Sequence, residues 1–259
     1  MNLEQYMSYF FRLENSKNTS SLQIPLFTNR GKILKNLALI CAWPHRNLWH
    51  YSIIEKQDDE LFFVVDKPVH SNDEIYFFFD KNKLPSKRFS LDILLQPDKL
   101  TKTSPEFRAN LSIKDSLKNK SSYQSEYPYG MTQRRGRIHS PIDMLSAVDS
   151  DSSIFFRNIY HEPNQSKVKA GLIKLKDFSL IRQFTVKSNC TNVIELNSEE
   201  ISKGYYFAVD GLLGIPIYCN RSPSGISLEH THPPHSTLVG PNAHKKLGEF
   251  RNELFNVFV

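Results

Sequence analysis

Short runs of β-branched and aromatic residues, each closed by turn formers, recur along almost the whole chain and restrict what it can fold into. LALICAW (37–43), HYSIIEK (50–56), ELFFVVD (60–66), EIYFFFD (74–80) and FSLDILL (89–95) form a first series. SIFFRNIY (153–160), KAGLIKLKD (169–177), LIRQFTVK (180–187), NVIELN (192–197), YYFAVD (205–210), GIPIYC (214–219) and GISLEHTH (225–232) form a second. Such runs fit pleated, half-buried strands. Their separators, among them WPHRN, KPVHSND and KNKLPS, place Pro, Asn and Asp where the chain must reverse. No helix of 10–15 residues alternates with the strands, which excludes a doubly wound α/β fold and predicts an antiparallel, mainly β protein.

The spacing of strand plus turn predicts β-sandwich or jelly-roll-like halves, with a single large jelly roll as the alternative. Between Ser112 and Arg137 the aliphatic residues thin out, so the segment reads as a linker or a long loop. It divides the chain into an N-terminal β-rich domain, 1–118, and a C-terminal β-sandwich domain, 119–259. Short helices are expected at both ends. Leu3, Tyr6, Met7 and Phe10 follow a helical period at the start, and Leu247, Phe250, Leu254 and Phe258 do so at the end, beyond Pro241 and Asn242.

A net charge of +6 over 259 residues, with 27 acidic side chains, is too dilute to mark a nucleic-acid binder. Nor is there a helix-turn-helix, RNP or zinc-finger pattern. Three widely spaced cysteines, Cys41, Cys190 and Cys219, suit a reducing compartment better than a disulfide framework. No apolar run reaches the length of a membrane span, and the expectation is a cytoplasmic protein. GxSxG, GxxxxGK[ST] and strand-linked GxGxxG patterns are absent from the sequence. Asp143, Asp149 and Asp151 cluster in SPIDMLSAVDSD, where a solvated loop is the simplest reading.

Two stretches carry the candidate chemistry. In LEHTHPPH, strand alternation puts His230 and His232 on one face about 6–7 Å apart, close enough to share a metal ion. His235 follows two prolines as a third ligand, and His244 or Glu249 from the C-terminal helix completes the shell. Imidazole ligands with few carboxylates suit zinc or iron rather than magnesium or calcium. The pair resembles the HxH strand of cupin metal sites, although the glutamate that follows in cupins is missing from PPHSTLVG. The plain alternative makes these histidines satisfied residues at the edge of a core.

The second stretch sets Tyr123, Tyr127 and Tyr129 beside Arg134, Arg135 and Arg137. Ring faces next to guanidinium forks suit a glycan or another polar, anionic ligand. The competing reading packs the tyrosines inside the protein and leaves the arginines in water. A third possibility is a structural partner in an assembly or oligomer, with EIYFFFD exposed at a sheet edge.

Overall fold

The computed structural model describes residues 8–259 apart from 16, 28–30, 34, 36, 55–60, 82–108, 144, 147–150, 202–203 and 231–240. The chain divides into two compact units. The first comprises 1–134 with 159–165 and 189–191, and the second comprises 135–158, 166–188 and 192–259. Every strand pairing for which the register is resolved is antiparallel.

In the first unit the strands are β1 (Ser8–Phe11), β2 (Asn18–Pro25), β3 (Leu37–His45), β4 (Leu48–Ile54), β5 (Phe62–Val65), β6 (Ile75–Asp80), β7 (Asn110–Asp115), β8 (Lys120–Gln124) and β9 (Tyr127–Pro128), followed by the one-turn helix α1 (Tyr129–Thr132). They build two sheets, in the orders β4-β3-β6-β1-β9 and β5-β2-β7-β8. Phe10, Leu39, Cys41, Tyr76 and Phe78 from one sheet meet Leu22, Ile24, Phe63 and Val65 from the other in a single apolar cluster. Burial of side chains of this size stabilises by about 1.5–3 kcal/mol each.

The second unit contains β10 (Arg137–Pro141), β11 (Asp151–Arg157), β12 (Lys167–Lys174), β13 (Ser179–Lys187), β14 (Thr191–Leu196), β15 (Tyr205–Asp210), β16 (Ile215–Ser222), β17 (Gly225–Glu229) and the helix α2 (Ala243–Asn256). Its sheets run β10-β15-β12-β13 and β14-β11-β16-β17. With β10 to β17 set against β1 to β8 in chain order, every neighbour relation of the second unit repeats one of the first. The core positions correspond as well. Leu39 and Cys41 of β3 lie opposite Phe78 and Tyr76 of β6, just as Ala170 and Leu172 of β12 lie opposite Val209 and Phe207 of β15. One topology thus occurs twice in a sequence that shows no repeat on its face.

Both halves are antiparallel and β-rich, as expected, but the finer expectation needs correction. In place of sandwich or jelly-roll halves there are four discrete sheets of four or five strands, the strand number of a propeller blade. The β3–β4 and β7–β8 hairpins lie within single sheets, which a jelly roll does not allow. Alternation tells which face of a strand is dry; it says nothing about which strands become neighbours. The segment 112–137, read as a linker or loop, holds β8, β9, α1 and much of β7. EIYFFFD does not form an edge: β6 lies between β3 and β1, with Phe77, Phe78 and Phe79 buried.

The N-terminal helix is corrected where residues are described, since 8–11 form β1. Tyr9, Phe10 and Phe11 are all buried, and strand pairing on both sides covers a run that is aromatic on both faces. The C-terminal helix forms as expected, with Asn242 as its N-cap residue at φ 68°. Leu254, Phe255 and Phe258 pack with Ile173 and Ala208 of the β10–β13 sheet. Gly171 allows this approach, because a Cβ there would lie 2.6 Å from Leu180 Cδ1 and 3.2 Å from Phe258 Cε1. The Lys169 ammonium donates to the Phe258 carbonyl at 2.7 Å and holds the chain end down.

Candidate functional site

The β3–β4 hairpin turns through Arg46 and Asn47, both at positive φ (49° and 59°), the geometry of a two-residue turn matched to strand twist. Its cross-strand pairs run from core to tip as Leu39–Ile54, Cys41–Ser52, Trp43–His50 and His45–Leu48. Along this face burial gives way to exposure, and the residue types change with it. Trp43 stacks on His50 at 5.9 Å between centroids, and His50 meets His45 edge to face at 5.5 Å. His70, from the turn after β5, stacks on the indole of Trp43 at 3.7 Å with Nε2 3.0 Å from Ser52 Oγ. Three imidazoles and one indole therefore form a row.

The position of His70 follows from a buried carboxylate. Glu74, 1% exposed, accepts the backbone N–H groups of Val69 and His70, each at 2.9 Å, and of Ser71 at 3.2 Å, together with the hydroxyl of Tyr76. A carboxylate satisfied in this way pins the turn. Burial, and then the charge of Glu74, push the Cys41 thiol and the Tyr76 phenol up, so both stay protonated at neutral pH. Ser52 and His70 have the spacing of a nucleophile and its base. Among the described residues, however, no carboxylate orients the second ring nitrogen of His70, as a catalytic triad requires.

A second titratable group lies under α2. His139 on β10 contacts the rings of Phe250 at 5.5 Å, Phe255 at 6.4 Å and Tyr206 at 6.4 Å. Both its nitrogens are shielded from solvent and meet no hydrogen-bond partner among the described residues. Burial, and then the positive charge of Arg251, lower its pKa to about 4. The imidazole is neutral, held in a box of aromatic rings.

The residues singled out from the sequence lie as follows. Tyr127 and Tyr129 are buried in the first unit, where Tyr9 lies opposite Tyr127 and near Tyr129. Tyr123 is half-buried on β8. Arg134 is exposed, and Arg135 Nη2 donates to Ser166 Oγ at 3.3 Å. Arg137 pairs with Asp210 at 2.9 Å and lies 5.0 Å over the ring of Phe255. Arg134 belongs to the first unit, whereas Arg135 and Arg137 belong to the second.

Strand β17 ends at Glu229, and half-buried His230 comes next. His232 and His235 lie outside the described residues, as does the side chain of His244. Glu249 is exposed, 4.0 Å from Lys245 on the same helix. Among the described residues no group of three or more His, Cys, Asp or Glu side chains is arranged to hold a metal ion.

The imidazole row was partly legible in WPHRNLWHYS, where a turn pair separates Trp43 and His45 from His50 and Ser52 at strand spacing. His70 was not, because only the Glu74 turn brings it there. Comparison with protein-family models, with curated proteins and with solved structures finds no match.

Proposed function

We propose that this is a ligand-binding β protein that holds a polar, anionic ligand on the imidazole row of the β3–β4 hairpin. One observation carries the reading: among the described residues His45 and His50, both exposed, make ring contacts and no hydrogen bond. Their ring nitrogens are open to a ligand as donors and acceptors. Arg46, exposed at the tip of the same turn, adds a positive charge. A glycan bearing carboxylate or sulfate groups matches this set, with its hydroxyls to the imidazoles and its charge to Arg46. A cytoplasmic location belongs to the same reading, supported by three buried cysteines that are not joined in a disulfide.

The test follows Trp43 fluorescence while sulfated, carboxylated and neutral oligosaccharides are titrated into the whole protein, with Trp43→Phe to assign the signal. Saturable quenching by an acidic glycan, weakened about tenfold or more in His45→Ala/His50→Ala, is expected for the loss of one or two such hydrogen bonds. No response to any of the three would end the proposal.

The histidine segment supports a second reading, in which His230, His232 and His235 hold zinc or iron with His244 or Glu249. Its support is the alternation of β17, where Leu228 is buried and Glu229 exposed, so that His230 continues on the side of Leu228.

A further inference from the structure

On β16 the side of Tyr218 faces the apolar cluster of the second unit, so Ile217, Cys219 and Arg221 lie on the opposite face. Across the sheet Cys219 is opposite Ser153 of β11 and Leu228 of β17, and Arg221 is opposite Asp151 and Ile226. Cys219 and Ser153 are fully buried, and Arg221 is 7% exposed. Among the described residues nothing neutralises that guanidinium by direct contact. Its Nη2 donates to Ser153 Oγ at 3.4 Å, while Nε and Nη1 have no acceptor among the described residues. Asp151 opposite is exposed, and Glu195 acts on Cys219 only through space. Neither carboxylate is bonded to Arg221.

Removing a guanidinium from water without a counter-charge is strongly unfavourable, and a buried polar group left unsatisfied calls for an explanation. An ion at the site supplies one. Two free N–H donors on a planar fork, flanked by a hydroxyl and a thiol, match the oxygens of a carboxylate or phosphate. We infer that Arg221, with Ser153 Oγ and the Cys219 thiol beside it, binds a small oxyanion. The site is separate from the hairpin row and does not depend on it.

Calorimetric titration of the full chain with inorganic phosphate, and in parallel with acetate, tests this. Saturable binding of one oxyanion per chain at this site is expected, abolished in Arg221→Met. Lysine keeps the charge but loses the fork, so Arg221→Lys weakens binding by about tenfold or more. The bound anion also raises the thermal midpoint of the wild type and not of Arg221→Met. Absence of saturable binding of either anion, or equal affinity in wild type and Arg221→Met, overturns the inference. If the methionine variant does not fold, Arg221→Lys decides: unchanged affinity there overturns it too.

Discussion

Replacing His139 by leucine should make the protein less sensitive to acid. In the folded chain the imidazole pKa is lowered to about 4 from an ordinary 6.5, by burial among Phe250, Phe255 and Tyr206 and then by Arg251. Among the described residues, the groups around it add no anion to rescue a protonated ring. Arg251 is cationic, Tyr206 is held neutral by burial with Asp143 acting on it, and Arg137 is committed to Asp210. The unfolded chain therefore takes up a proton as pH falls through 6.5, whereas the folded chain does so only near 4. Stability is intact above 6.5 and is lost across the interval from 6.5 to 4. At full weight that interval corresponds to about 3 kcal/mol. Because the ring is only partly buried, solvent screening leaves about 2 kcal/mol. Urea unfolding of wild type and His139→Leu at pH 7.5 and pH 4.5 gives the comparison. The wild type should lose about 2 kcal/mol more than the variant between the two conditions. At pH 7.5 the leucine variant should be at least as stable, since it replaces a ring whose nitrogens have no partner. Equal losses in the two proteins would show that His139 is not held neutral under α2, and would refute the reasoning.

Phe255→Ala should cost about 3–5 kcal/mol, because the ring is buried between α2 and the β10–β13 sheet; urea unfolding, together with earlier proteolysis of the C-terminal helix, checks this. Gly171→Ala should destabilise by about 1–3 kcal/mol, since the added methyl meets the Arg182 carbonyl at 3.0 Å as well as Leu180 and Phe258; a drop in thermal midpoint of the α2 transition is the readout. Tyr127→Ala should lower stability by about 3–5 kcal/mol, and selective loss of ligand binding without loss of stability would contradict its place in the core. Elemental analysis of untagged protein beside His230→Ala/His232→Ala tests the histidine segment: near-stoichiometric zinc or iron that vanishes in the variant is the expected outcome, and its absence from the wild type would sink the metal reading.

The alternating runs and their turn residues were enough to determine an antiparallel β protein. On the described residues, LALICAW, HYSIIEK, ELFFVVD, EIYFFFD and the whole second series form strands within a few residues of their expected bounds, while FSLDILL lies outside the described residues. The apolar period at the end of the chain was enough for α2, because a helix docking by one stripe writes that stripe into its sequence. β1 was not legible for the opposite reason: SYFF is buried on both faces, so no period marks it. β8 and β10, polar and half-exposed, carried no strand signal of their own and are strands because neighbours pair with them. Neighbour order, and with it the repeated topology, depends on contacts far apart in the chain, and local pattern does not encode them. The candidate sites divide in the same way. Trp43, His45 and His50 were within reach of strand spacing, but His70 joins them through the Glu74 turn. His139 lies under a helix more than a hundred residues further on, and Arg221 stands out only because its partners in the sheet leave its charge unmet. Residue type and spacing set what each strand can bury; only the folded chain decides which polar groups are left without a partner.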